Sequence, residues 1–405
     1  MFAKVVAQSM PDVSGMRVSH LYQRNSENLS GLFANVCYSS GYEPSMIEPK
    51  LKDFPSNLDR FNRVAGTGHH SIADHSSISV YLGEIGKITA MVLNSLAYYA
   101  TSERSGRYTD MSKTASQEER EMYSKWMDIL VPRIHKEYPE IDPIRVKKLA
   151  QENARYFIDV TRPYTSMVYT ATYRQWSYIA QWFTKFLDTT TSSVSPFRAA
   201  LCRDFKLIRD FILEEGIGNV DKLHDIKNRD IEFLTYQTGN YFPTEEQYGR
   251  MYTVIYDCSF SCLAQAQRHR TLKYIMSFDD TVPHFDFYVP EIVSDLTDEW
   301  NHDMQVLAVN GFIPQGISIK VAEMGDVRDF ILKCEERLCG RAQREVAMLT
   351  KETLGKLYFN TTGYVNEMLQ KLYIPGERCK AKCELIGTCS EACEFKAAHA
   401  VDRLI

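Results

Sequence analysis

The sequence predicts an α+β protein made of two related halves, with mixed or antiparallel sheet and helices packed against it. Segments that alternate β-branched and aromatic residues (SSISVYLGEI, VTRPYTSMVYTATYR, MYTVIYDCSFS and GFIPQGISIKVAEMG) show the period of two that suits strands. Helical spacing follows these strands, and the order of strands and helices recurs at an offset of roughly 155 to 175 positions, which marks an internal repeat.

Along the chain, VAGTGHHSIADH reads as a histidine-bearing turn before the first strand, and KITAMVLNSLAYYA as the helix after it. TASQEEREMYSKWMDILVPRIHKEY and PIRVKKLAQENARYFI are two further helices, and QWSYIAQWFTKFL returns to helix after the second strand. In the second half, CLAQAQRHRTLKYI is expected to be one helix, HFDFYVP extended, and Asp298 to Val309 a charged helix. DVRDFILKCEERLCGRAQREVAMLTKETLGKL reads as one long helix. The polar run Thr189 to Pro196 is the best breaker near the junction. The expected division is therefore a first repeat over 1–200, a second over 201–375 and a cysteine-rich tail over 376–405.

Composition narrows the function classes. Of 405 residues, 44% are hydrophobic and 24% charged, an ordinary globular balance with ample material for a large core. The net charge of −5 gives no general field for a polynucleotide, so no nucleic-acid partner is expected. The 24 Tyr and 20 Phe suit a ring-shaped ligand or an aromatic core equally. No apolar run approaches the roughly 18 to 20 residues of a membrane span, and the N-terminus does not read as a leader, which predicts a cytoplasmic protein with no membrane contact. Four of the ten cysteines cluster as Cys379, Cys383, Cys389 and Cys393. Four thiolates suit tetrahedral zinc or an iron–sulfur cluster, with reduced thiols on amphipathic helices as the alternative.

Two short segments carry the chemistry. Gln267-Arg268-His269-Arg270 is a compact cationic donor set suited to phosphate or to negative charge developing on a ring oxygen. Ser102 to Asp110 is a loop in which Ser105 can donate, Gly106 relaxes the backbone and Arg107 clamps an anion. Either segment alone would pass for a solvated surface loop.

Together they resemble the signature of flavin-dependent thymidylate synthases, split between the two halves. The first copy keeps Glu103, Ser105, Arg107 and Tyr108, while Ser95, Leu96 and Ala97 stand at the Arg-His-Arg positions. The second copy keeps Arg268, His269 and Arg270 and continues as KYIMSFDDT. Other pieces follow in the family's order: His70, Ser71, Asp74 and His75, with aspartate for glutamate; Glu152, Ala154 and Arg155; Arg174 in TATYR and Arg328 in VAEMGDVR; and Arg337 followed by AQREV. The resemblance covers about 300 residues, from His69 to Lys371.

It implies a tandem duplication of that family's fold and a flavin enzyme that methylates dUMP to dTMP. FAD would be the cofactor, with NADPH and methylenetetrahydrofolate as co-substrates. Arg337 and Ser105 become the expected catalytic residues. Glu103, Ser105, Gly106, Arg107, Arg155, Gln267 and Arg268 become candidates for the nucleotide, and His70, Asp74, Arg174, Arg268, His269, Arg270 and Arg328 for the flavin. Because the family is usually a homotetramer with sites at subunit junctions, a duplicated chain is expected to form a homodimer of pseudo-tetrameric shape. C5 modification of another pyrimidine nucleotide, and a non-catalytic nucleotide-binding role, stand as alternatives.

Overall fold

The computed structural model describes residues 2–8, 22–38, 47–96, 99–107, 109–190, 195–224, 231–235, 242–374, 376–387, 394–395 and 400–405. Two compact units interleave along the chain: Met1–Arg104 with Thr161–Glu232, and Ser105–Val160 with Phe233–Ile405. The segment 105–160, expected within the first repeat, thus packs in the second unit.

The first unit is built on an antiparallel sheet of order β1-β2-β4-β3, from Phe2–Gln8, Ser77–Ile85, Tyr99–Glu103 and Thr165–Thr172. Burial in β4 alternates without a break, and in β2 the side chains of Ile78, Val80 and Leu82 are fully buried. One face of the pleat is therefore core, as the sequence period requires. The helix Tyr173–Thr189 follows β4 directly, with the Thr172 hydroxyl accepting from the Gln175 amide at 3.1 Å as its cap. Trp176 then donates its indole N–H to the Ile78 carbonyl at 3.1 Å and meets the Tyr169 ring edge-on, 5.5 Å between centroids.

The second unit repeats this plan. Its sheet has the order β5-β6-β8-β7, from Glu246–Tyr248, Met251–Ser259, Lys273–Ser277 and Ser318–Asp326, again antiparallel throughout. In both units a nine-residue strand leads to a seven-residue helix, Lys87–Leu93 in one and Phe260–Ala266 in the other, and then to a five-residue strand. In both, the last strand runs straight into a capped helix; here Asp326 caps Val327–Arg337 through the Arg328 amide at 2.9 Å. The borrowed helices Gln117–Glu137 and Pro143–Ala154 supply Trp126, which packs with Phe157 and Trp300 at centroid separations of 4.6 to 5.8 Å. Its indole N–H and the Lys125 ammonium both reach Asp303, at 2.9 and 2.6 Å.

Three sequence expectations change. KITAMVLNSLAYYA is helical only to Leu93, and its Tyr99 opens β3. CLAQAQRHRTLKYI is helical only to Ala266, after which the QRHR stretch turns and β7 begins at Lys273. The long C-terminal helix is two, Val327–Arg337 and Arg344–Asn360. The break falls around Gly340, a poor helix former, where tertiary donors take the freed carbonyls. The Lys382 amide reaches Leu338 at 2.7 Å, Arg107 reaches the Arg341 carbonyl, and Arg403 that of Ala342. Among the described residues no helix is long and apolar enough to cross a membrane.

One face of the second sheet buries a charge pair. Glu323 and Lys333 are both fully buried and 2.5 Å apart. The Tyr252 and Tyr256 hydroxyls also donate to Glu323, at 2.8 and 2.7 Å. Removing one partner strands the other charge in the core, so Lys333→Met should cost about 3 to 5 kcal/mol of unfolding free energy. Urea denaturation checks this, with the double variant carrying Glu323→Gln expected to lose less.

Candidate functional sites

In the first unit three of the residues expected to face the flavin, His70, Asp74 and Arg174, come together. His70 lies in the short 3-10 turn His70–Asp74, which is contiguous with the start of β2, and Arg174 sits in the first turn of the helix after β4. The Arg174 guanidinium donates to Asp74 at 2.8 Å and, through Nε, to the Tyr178 hydroxyl at 3.1 Å. His70 Nδ1 is 2.9 Å from that same hydroxyl, and the Thr172 hydroxyl donates to Asp74 at 3.0 Å. Tyr178, one turn beyond Arg174, is the hub that the motif comparison missed; the i, i+4 spacing was its only sequence signal. Asp74 and Arg174 remain part-exposed and His70 is buried. Glu103 ends β3 within this unit, where its carboxylate takes Lys87 at 2.6 Å and the Thr165 hydroxyl at 3.4 Å.

The second unit holds the rest of the loop and the cationic triplet. Ser105, Gly106 and Arg107 form a turn in which the Arg107 amide donates to the Ser105 hydroxyl at 3.3 Å. Gly106 is not in the left-handed region, and a Cβ there would sit in ordinary contact with Arg155, 3.5 Å away, so the backbone does not demand a glycine. Arg107 donates through Nε to Glu152 at 2.6 Å and through Nη2 to the Arg341 carbonyl at 2.5 Å. Arg155, one turn from Glu152 and buried, donates through Nη2 to Gln343. Gln343 also donates to the Tyr156 hydroxyl, which in turn donates to the buried Glu345 at 2.8 Å. Glu345 further accepts the Ser259 amide and hydroxyl at 2.7 and 2.6 Å. Gln343 and Glu345 lie in the AQREV segment, where the sequence comparison marked the motif but gave them no role. Tyr108 lies outside the described residues.

Burial works against these charges, and the neighbours decide the outcome. Burial would raise the Glu152 carboxyl, but Arg107 and Arg155 outweigh it and hold the group below its ordinary value. Burial pulls Arg155 down, partly countered by Glu152. Glu345 is pushed up by burial despite its three donors.

The triplet follows the helix Phe260–Ala266 as consecutive turns, with the Arg268 amide bonded to Gln265, His269 to Ala266 and Leu272 to His269. Gln267 caps that helix through its amide and is buried. Arg268 and Arg270 point outward while His269 is buried. His269 Nε2 lies 3.6 Å from the Glu336 carboxylate, which is 3.8 Å from Arg337. Arg337, at the end of its helix, is held down first by burial, with Glu336 opposing and the charges of Arg107 and Arg268 adding to the depression. The loop arginine of the first half and two cations of the second thus act on one another inside one unit. Buried N–H or ring-nitrogen positions at Arg155 Nε, His269 Nε2 and Arg337 Nε have no hydrogen-bond partner among the described residues. Unsatisfied buried donors of this kind are costly and suit a polar or anionic ligand. Arg328 stands apart: it is exposed and folds back onto its own cap, Asp326.

Cys379 is buried in a bridge pairing with Tyr373, and Cys383 lies on the separate short helix Lys382–Leu385, so these two do not share a helical face. Cys389 and Cys393 lie outside the described residues, and among the described residues no group of three or more His, Cys, Asp or Glu side chains is arranged to hold a metal.

Two four-stranded antiparallel sheets of matching strand order, each feeding a capped helix, define an α+β protein. Residues 20–185 match the family described as Thymidylate synthase complementing protein. The Arg-His-Arg turn lies beyond the matched stretch. Among solved structures, the chain is similar to Thymidylate Synthase X (ThyX) from Helicobacter pylori with FAD and dUMP, at 11% identity and a TM-score of 0.29, over 52% of this chain and 92% of that one. It is also similar to the UMP/dUMP methylase PolB from Streptomyces cacaoi bound with 5-Br dUMP, at 12% identity and a TM-score of 0.26, over 54% and 96%. No curated protein matches the sequence.

Burial first, and then the charges of Arg337 and Lys333, push His269 from 6.5 down to about 3. In the window from pH 6.5 to about 3 the unfolded chain takes up a proton that the folded chain refuses, so this contribution to stability is complete above pH 6.5 and falls away as pH drops. The variant His269→Gln should show a flatter decline in urea midpoint between pH 7 and pH 4.5 than the unmodified protein; equal slopes would remove the assignment.

Proposed function

We propose that the protein methylates C5 of dUMP to give dTMP, with FAD as cofactor, methylenetetrahydrofolate as one-carbon donor and NADPH as reductant. The observation that supports this reading is that in the second unit the charges of Arg107, Arg268 and Arg337 act on one another, with Arg155 acting on the same Glu152 as Arg107, and that Arg155, His269 and Arg337 each have a buried nitrogen without a hydrogen-bond partner among the described residues. That donor set suits a ligand with both phosphate and carbonyl oxygens. The bound flavin would supply the hydride; the protein's residues bind, orient and stabilise charge.

In this reading Arg337 stabilises the negative charge that gathers on a pyrimidine carbonyl oxygen as C5 becomes nucleophilic, an effect of about 3 to 4 kcal/mol. Arg107 and Arg155, the first with one edge fixed on Glu152, hold the nucleotide phosphate, and Ser105 orients it. Glu103 in the first unit and Gln267 in the second are each assigned to the nucleotide. His70, Asp74 and Arg174 in the first unit, and Arg268 to Arg270 in the second, are each assigned to the flavin. The exposure of Arg328 leaves it able to turn from Asp326 toward a ligand. The protein would work in the cytoplasm as a homodimer with two composite sites.

One observation favours a second substrate reading. Asp74 replaces the family's glutamate, and both its oxygens are taken, by Arg174 and Thr172. A shorter, engaged carboxylate alters the flavin's surroundings and admits C5 modification of a different pyrimidine nucleotide.

Purified protein should be yellow, bind one FAD per chain, and oxidise NADPH fastest with dUMP among dUMP, UMP and dCMP. Two FAD per chain would contradict the composite arrangement, and preference for UMP or dCMP would move the assignment to the second reading. Arg337→Ala should lower kcat with dUMP by about 100- to 1,000-fold while leaving FAD bound; an unchanged kcat would exclude its role.

A further inference from the structure

The face of the second sheet that buries Glu323 carries one more tyrosine. Tyr274 in β7 pairs in register with Glu323 in β8, and Val254 in β6 pairs with Glu323 from the other side. Side chains two apart on a strand share a face, so Tyr252, Tyr256 and Tyr274 all surround this carboxylate. Tyr252 takes one oxygen of Glu323, and Tyr256 and Lys333 take the other. Tyr274 is buried, 5% exposed, yet its hydroxyl has no hydrogen-bond partner among the described residues. The Lys333 ammonium lies 5.8 Å from the centre of its ring and fixes the ring's place by a cation–π contact. Arg337 is one helical turn beyond Lys333 on the same helix face, and it too has a buried nitrogen without a partner.

We infer that Tyr274 is a further ligand-binding residue: its hydroxyl hydrogen-bonds the bound pyrimidine nucleotide beside Arg337, and the Lys333–Glu323 pair is the positioning device that holds the ring there. The inference rests on the proposed nucleotide site, and it explains two facts together. A hydroxyl buried without a partner is destabilising for the free protein, which makes it a group retained for something else. With three donors already on Glu323, the phenol is left available to a ligand. Position 274 falls among the variable residues of the signature that resembles the flavin-dependent thymidylate synthases, so the motif gave no hint of it.

The test uses full-length protein loaded with FAD and calorimetric titration with dUMP, on the unmodified chain, Tyr274→Phe and Tyr252→Phe, each with its melting temperature. Loss of a single hydrogen bond to the ligand should raise the dUMP dissociation constant of Tyr274→Phe by about 5- to 20-fold. Its melting temperature should be unchanged or higher, because the deleted hydroxyl bonds nothing in the free protein. Tyr252→Phe should lower the melting temperature, because it strips a donor from a buried carboxylate. If Tyr274→Phe binds dUMP as tightly as the unmodified protein, the inference fails and the nucleotide site stands. If the unmodified protein does not bind dUMP at all, both fail.

Discussion

The ion pair between Arg107 and Glu152 is the constraint on which the polar interior of the second unit depends. A buried carboxylate needs a cation, and Arg107 meets that need with Nε while its Nη2 closes onto the Arg341 carbonyl. The same pair fixes the loop at Ser105 to Arg107 against the helix Pro143–Ala154 and against the break between the last two long helices. Arg155, Gln343, Tyr156 and Glu345 then follow as a continuous chain of hydrogen bonds to the Ser259 cap. Burial pulls both Arg155 and Arg337 down, and each keeps an oxygen partner, Arg155 in the Gln343 side chain and Arg337 in the Glu336 carboxylate at 3.8 Å.

The division of labour between the two units follows from what each retained. The first unit kept the carboxylate–arginine–tyrosine–histidine cluster around Asp74, Arg174, Tyr178 and His70, but at the Arg-His-Arg positions it has Ser95, Leu96 and Ala97. The second kept the triplet and Arg337, and its Arg328, at the position equivalent to Arg174 after the last strand, is tied to Asp326 alone. Identical strand orders with non-identical side chains are what one expects when a fold is held by its alternating apolar positions while polar positions drift.

Much of this architecture was legible in the residues themselves. The four long strands were visible because β-branched and aromatic residues are dense in them, and in Thr165 to Thr172 burial alternates strictly along that run. Helix ends were harder. The helix after Gly86 and that after Ser259 each stop after two turns although their sequences remain helix-compatible, because β3 and β7 capture the following residues in sheet pairing. Candidate site residues stood out where the residue types were rare together, as in Arg-His-Arg, and their partners stayed hidden where they come from distant sequence. Glu152 meeting Arg107 and Gln343 meeting Arg155 depend on how the segment 105–160 folds back, which no local pattern records. Tyr178 was hidden for a simpler reason: in a chain with 24 tyrosines, none stands out.

The interleaving of the units has a consequence for where the chain can be cut. Trp126 and Glu119 come from the first half of the gene, yet they sit in the core beside Trp300 and under the Asp159 amide, inside the unit built mainly from the second half. A protein severed near residue 200 would leave the C-terminal piece with an open aromatic cavity and no mate for the Arg341 carbonyl. The second unit therefore cannot be separated from the first by any single cut in the chain.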